Sequence, residues 1–335
     1  MNSPTSIRFG VIGATSQVAQ VGVIPAILSS RFARLQAVSS RSYQDVPQGV
    51  LGVRNYSRYE DLLQDIEIDA VYVALPNHLH LEVVLKALDS NKHVLCEKPL
   101  AISESDFNLM RDAASKRSLT LAEAYMTAYH PRNRLALSLV NEVNFGDVQT
   151  IYSTFSGTLD PLAGYRMNRH EGGGSLWDIG IYALSPVLKI LGPTPQQVSL
   201  RVQKADSSGV DLRTTMVIDY PANQVAFVHT SFISSESQLL KVIGSKQSIE
   251  IQRACTPSSS DTEIIISDTK GQITHLSAKS QGPYEAMIDE FSASLSQGQT
   301  PLWSLEDSLR TLRVIERLYN ESAYPLDRFV VSNFL

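Results

Sequence analysis

A chain of 335 residues exceeds what one ordinary hydrophobic core organises, so two domains are expected. With 43% hydrophobic and 19% charged residues it reads as a folded globular protein, and a net charge of -5 without long blocks of like charge argues against nucleic acid or an anionic membrane as partner. Cys96 and Cys255 lie in no CxxC or histidine-rich context, which argues against a disulfide or zinc site and fits a reducing, cytoplasmic compartment.

The polar start Met1–Ser6 shows no signal-peptide pattern, and no apolar run approaches the roughly 20 residues that span a bilayer. A soluble protein is expected. Ile7–Ile12 reads as a buried strand, followed by a glycine-containing turn and a helix through Ile24, Ile27 and Leu28. Leu35–Ser39 and Ala70–Leu75 are further apolar strands, with Tyr59–Leu63 a short helix between them. His80–Ser90 places Leu81, Val84, Leu85 and Leu88 at the helical period, and His93–Cys96 is strand-like. Ser103 caps a helix to Ser118, and Leu119–Ala122 is a strand. This alternation predicts βαβ units and a parallel sheet covered on both faces.

Past Tyr125 the pattern changes. Pro131 opens a helix to Asn141. Spaced strands follow at Gln149–Phe155, Gln197–Lys204, Leu212–Tyr220, Gln224–Ser231, Leu239–Ile243, Ser248–Gln252 and Glu263–Ser267, interrupted by a helix over Leu176–Leu191. Helices at Tyr284–Ser296 and Ser304–Ser322 close the chain. The prediction is an α/β Rossmann domain with a doubly wound parallel sheet over residues 1–124. An α+β domain over 125–335, with a large open mixed or antiparallel sheet, would bind substrate and carry the oligomer contact.

The first strand runs into Gly13-Ala14-Thr15-Ser16-Gln17-Val18-Ala19, a degenerate match to GxGxxG. Gly13 fits the first glycine, Thr15 stands at the second, and Ala19 comes one position late. Gly13, Thr15 and Ser16 are the candidate pyrophosphate contacts at the helix start; a plain strand-to-helix turn is the alternative. The second strand ends in Ser40-Arg41 where NAD-selective folds carry an acid. Hydroxyls and a guanidinium suit a 2′-phosphate, which favours NADP over NAD. Arg41 as a solvated loop residue is the bland alternative.

Three further segments carry a family resemblance: Ala74-Leu75-Pro76-Asn77-His78-Leu79-His80, Cys96-Glu97-Lys98-Pro99-Leu100, and Gly172-Gly173-Gly174-Ser175-Leu176-Trp177-Asp178-Ile179-Gly180-Ile181-Tyr182. Together the chain resembles the glucose-fructose oxidoreductase / inositol dehydrogenase / MocA family from about Ile7 to Ser322. The resemblance implies a nicotinamide cofactor on the Rossmann domain and a dimer interface on the outer face of the second sheet. It implies Lys98 as the active-site lysine before a cis proline, and Asp178 and Tyr182 on the catalytic helix. Leu75, Asn77, His80, Glu97, Lys98 and Arg166 are implied on the cofactor side. Tyr182, where many relatives carry histidine, resembles the sugar oxidoreductase and dihydrodiol dehydrogenase branches.

Hydride transfer to a carbonyl needs a proton for the developing alkoxide, and the reverse reaction needs its removal. Tyr182 suits that role if a nearby ammonium such as Lys98 lowers its pKa. Asp178 and Tyr182, four residues apart, share a helix face. Ser175 through Asp178 also fits a capping box, which would make Asp178 structural. The expected activity is an NADP(H)-dependent oxidoreductase acting on a carbonyl or hydroxyl of a sugar, polyol or similar small molecule, with NAD possible. A glycosidase-type relative with tightly bound cofactor, or a nucleotide-sensing regulator, are the alternatives. A homodimer or homotetramer is expected, from the alternating apolar residues Met216, Ile218, Val225 and Phe227.

Overall fold

The computed structural model describes residues 6–40, 52–159, 163–206, 208–321 and 328–332. Six short strands, β1 (Ile7–Ile12), β2 (Ala33–Ser39), β3 (Arg54–Tyr56), β4 (Ala70–Val73), β5 (His93–Glu97) and β6 (Leu121–Ala124), form one sheet. Its order is β3-β2-β1-β4-β5-β6, and every pair is parallel. All four residues of β4 are buried, as a sheet covered on both faces requires. The strand order reverses between β1 and β4, which opens a crevice at their carboxyl ends. After β1 the chain forms a π-helical turn, Ala19–Val23, continuous with α1 (Ile24–Ser29). A row of helices follows: α2 (Tyr59–Leu63), α3 (His80–Asp89) and α4 (Glu104–Lys116), the last capped by Ser103, whose hydroxyl accepts the Asp106 N–H at 3.1 Å.

The chain divides into two compact units, Met1–Tyr129 with Pro283–Ser308, and His130–Gly282 with Leu309–Leu335. In the second unit, α5 (Pro131–Val140) and α6 (Ile181–Leu191) accompany nine strands: β7 (Val148–Thr158), β8 (Gln197–Lys204), β9 (Asp211–Asp219), β10 (Val225–Ser231), β11 (Ile233–Gly244), β12 (Gln247–Gln252), β13 (Glu263–Asp268), β14 (Ile273–Ser277) and β15 (Arg328–Ser332). Their order is β14-β13-β12-β11-β7-β10-β9-β8-β15. The sheet is mixed because β7 and β10 pair in parallel while the other pairs are antiparallel. α6 packs on β7 and β10, over a face that includes Ile151, Ala226 and Val228.

Side-chain alternation corrects one expectation. Met216 and Ile218 are fully buried on the covered face, whereas Phe227, opposite Val217, turns to the other face. There its ring stacks on Tyr152 at 5.1 Å, and both remain partly exposed. The open face thus carries Val217, Val225, Phe227 and Tyr152, without Met216 or Ile218.

The last helices also depart from the simple division at residue 124. α7 (Pro283–Gln297) packs on α1 and β2 of the first unit, and Phe291 lies 6.0 Å from Phe9. Its apolar stripe, with Met287, Ile288 and Phe291 fully buried, marks a covered helix but does not say which sheet it covers. α8 (Leu305–Glu321) begins in the first unit and continues in the second. No helix among the described residues is long and apolar enough to cross a membrane.

Candidate active site

The turn after β1 is a place where only glycine fits. Gly13 has φ +82°, and a Cβ there would lie 2.3 Å from the Ala74 carbonyl oxygen. The N–H groups of Gly13 and Ala14 both donate to Ser39 O, tying the turn to the end of β2. Ala19 is buried although it comes one position late, and from Ala19 to Val23 the helix is π-wound. The Thr15 and Ser40 hydroxyls are hydrogen-bonded at 2.9 Å, and Ser16 Oγ accepts the Ala19 N–H. A cavity of about 540 Å³ opens here, walled by Gly13, Thr15, Ser16, Ser40 and Leu75 among others. Arg41 lies outside the described residues.

Two loops from β4 and β5 are pinned to each other within the same unit. His80 is fully buried, with Nε2 and Nδ1 at 2.8 and 2.9 Å from the carbonyls of Leu75 and Pro99. Burial pushes its pKa down, so the neutral ring donates to one carbonyl. His80 is therefore a strut between the two loops, and it is not among the residues that wall this cavity. Asn77, also buried, opens the 3-10 turn that precedes α3.

Lys98 sits in a clamped segment and its bond to Pro99 is cis. Glu97 Oε2 accepts the Lys98 N–H at 3.2 Å, and the Tyr72 hydroxyl donates to Glu97 Oε1. Glu123 accepts the Leu100 N–H and the Trp303 Nε1–H, each at 2.9 Å. Burial raises the pKa of both carboxyls, against the hydrogen bonds that favour their charge. Tyr72, His80 and Glu123 thus fix the backbone from 97 to 100 around the half-buried Lys98.

In the second unit the glycine run has a stated purpose. A Cβ on Gly173 would lie 2.6 Å from the carbonyls of Tyr165 and Arg166, and Gly174 has φ +105° with Asp211 Oδ1 pressed against it. A π turn over Leu176–Gly180 then leads into α6. The capping-box reading of Asp178 does not hold. Asp211 of β9 takes that place: its Oδ2 accepts from Ser175 Oγ at 2.6 Å, Leu176 N at 2.8 Å and Thr214 Oγ1 at 3.2 Å. Burial pushes the Asp211 carboxyl up to about 6.

Asp178 instead accepts from Arg166 Nε at 2.7 Å. Burial opposes the Arg166 charge, but Asp178 more than offsets it and, with Tyr165 and Tyr182, raises the guanidinium pKa. Tyr182 is buried with its ring edge-on to Phe155 at 5.5 Å. Arg166, Asp178 and Tyr182 therefore form one electrostatic group. Sequence reasoning missed Asp211 and the cavity residues Ser57 and Arg58; only strand pairing brings them to their places.

Two family models match the chain. One describes an oxidoreductase family with an NAD-binding Rossmann fold, over residues 7–125; the other is the GFO/IDH/MocA C-terminal domain, over residues 134–250. D-xylose 1-dehydrogenase (NADP(+)) 2 of Haloferax volcanii is 32% identical, across 95% of this chain and 97% of its own. A trans-1,2-dihydrobenzene-1,2-diol dehydrogenase of Xenopus laevis is 30% identical, across 76% of this chain and 78% of its own. Among solved structures, a 3-ketoreductase from Actinomadura kijaniata in complex with NADP and TDP-benzene matches at TM-score 0.85 and 25% identity, covering 93% of this chain and 96% of that one. That ketoreductase has also been solved with a tyrosine replaced by phenylalanine and with a lysine replaced by alanine.

Proposed function

The chain belongs to the GFO/IDH/MocA oxidoreductase family, and we propose that it moves a hydride between NADP(H) and a carbonyl or hydroxyl carbon of a sugar or sugar-like molecule, with Tyr182 handling the proton. The observation that carries the cofactor choice is the wall of the cavity at the sheet's switch point. β2 ends there in Ser39 and Ser40, with the Thr15 hydroxyl on Ser40, in the place where a ribose 2′-hydroxyl would call for a carboxylate. The bare Cα of Gly13 lets backbone N–H groups approach a pyrophosphate, so the residues present fit a dinucleotide.

The nicotinamide supplies the hydride chemistry when bound. The chain's own residues do the rest. Lys98, on a backbone that Glu97, Glu123 and His80 hold rigid, places an ammonium donor for the oxygen whose charge grows during reduction. The Tyr182 hydroxyl gives that oxygen its proton, or removes it in the reverse direction. Arg166 and Asp178 orient this end of α6 and keep a charged pair beside the phenol.

The same reading takes the protein as a cytoplasmic homodimer or homotetramer. Both cysteines are buried thiols, which suits a reducing compartment, and the open face of the second sheet bears a paired aromatic patch. Calorimetric titration of the full chain with NADP+ and with NAD+ tests the cofactor assignment: NADP+ is expected to bind at least tenfold more tightly, and equal affinities overturn it.

A further inference from the structure

β3 runs parallel beside β2 with Ser39 opposite Tyr56, and the Ser40 N–H reaches Tyr56 O at 3.4 Å. The two strands therefore release their next residues side by side, Ser40 from one and Ser57 and Arg58 from the other. All three wall the cavity that also takes in Gly13 and Thr15. The Arg58 backbone is extended, and its side chain is 68% exposed. Its guanidinium Nε stands 3.7 Å from Glu60 Oε2, too far for a hydrogen bond and a weak pair in solvent.

The other carboxylates of that wall are already engaged. Glu82 takes the Lys86 ammonium at 2.6 Å and the Tyr59 hydroxyl at 3.2 Å, and Glu60 also lies 3.4 Å from Lys86. What remains on the cavity side is a loosely held guanidinium next to a cluster of hydroxyls. A planar fork of N–H donors beside hydroxyl donors is the arrangement that recognises a phosphate dianion.

We propose that Arg58 is a specificity-determining residue for the ribose 2′-phosphate of NADP(H), and that Glu60 tempers it by competing for the same guanidinium. The inference rests on the NADP reading above. Arg58 enters the cavity from the chain just past β3, the strand that pairs with β2.

The test is calorimetric titration with 2′,5′-ADP and with 5′-AMP, which differ only in that phosphate, alongside NADP+ and NAD+. Arg58→Ala is expected to weaken 2′,5′-ADP and NADP+ by roughly 10–100-fold, the range of a charged hydrogen bond, and to leave 5′-AMP and NAD+ within about twofold. Arg58→Lys should recover part of the loss, and Glu60→Gln should tighten 2′,5′-ADP a few-fold, on the order of a weak surface pair. An Arg58→Ala protein that binds 2′,5′-ADP as the native one does overturns the inference while leaving the NADP reading intact. Equal weakening of 5′-AMP also overturns it, since the residue would then shape the pocket and not read the phosphate. A native protein that binds NADP+ no better than NAD+ overturns the parent reading instead.

Discussion

Arg166 and Asp178 are joined by a 2.7 Å charged hydrogen bond, and this contact takes Asp178 away from the helix start to which its sequence position assigns it. A carboxylate that caps its own helix is fixed by local geometry. One that answers an arginine twelve residues earlier depends on the loop between them. Asp178→Asn keeps the shape and removes the charge. It is expected to lower turnover by about tenfold or more, the loss of one charge-assisted contact, while the melting temperature shifts little because the pair is partly solvated. Steady-state kinetics with a thermal melt checks this; unchanged turnover with a large drop in melting temperature would return Asp178 to a capping role.

Asp211 gives a pH prediction with a defined sign. Its folded-state pKa of about 6 lies above the ordinary aspartate value near 3.9. Between those values the unfolded carboxyl gives up its proton while the folded one retains it, so stability from this group falls as pH rises from about 4 to about 6. The full effect is of order 3 kcal/mol at 1.36 kcal/mol per pKa unit. Asp211→Asn cannot titrate. The stability of the native protein relative to that variant should therefore shrink across this window in denaturant melts, and a difference that does not vary with pH contradicts the assignment.

Gly13→Ala is expected to fail for two reasons at once, a positive φ and a Cβ 2.3 Å from Ala74 O. The turn must shift, and with it the N–H groups proposed to face the pyrophosphate. Destabilisation of about 1–3 kcal/mol is expected from the strained conformation, together with loss of dinucleotide binding. A variant that binds NADP+ normally would show that the turn is not the phosphate site.

The Tyr152–Phe227 pair bears on assembly. If the open face of the second sheet is a contact between copies, Phe227→Lys places a charge in an interface and should release monomers in analytical ultracentrifugation. A native protein that sediments as a monomer at micromolar concentration contradicts the oligomer.

The parallel sheet of the first unit was readable because strands such as Ala70–Val73 are continuous apolar runs and helices such as His80–Asp89 repeat at their own period, but its edge strand β3, Arg54–Tyr56, left no such mark. The glycines at 13 and 172–174 were equally plain, since steric exclusion leaves a mark in sequence. What stayed hidden depends on contacts between distant segments. The cap at Ser175 comes from Asp211, α7 covers a sheet formed almost the whole chain earlier, and Arg58 reaches the cavity only because β3 pairs with β2.

Hydride transfer between NADP(H) and a sugar, with the Tyr182 hydroxyl moving the proton, is the proposed activity of this chain. The direct measurement is the rate of nicotinamide absorbance change for the native protein and Tyr182→Phe, over a panel of aldoses with NADP+ and of keto sugars with NADPH. The phenylalanine ring preserves the edge-on packing against Phe155 and removes only the hydroxyl. Turnover with at least one sugar is expected, with a fall of roughly 10²–10⁴-fold in Tyr182→Phe and NADP+ affinity retained. Turnover by Tyr182→Phe equal to that of the native protein, or no absorbance change with any sugar in either direction, would contradict it.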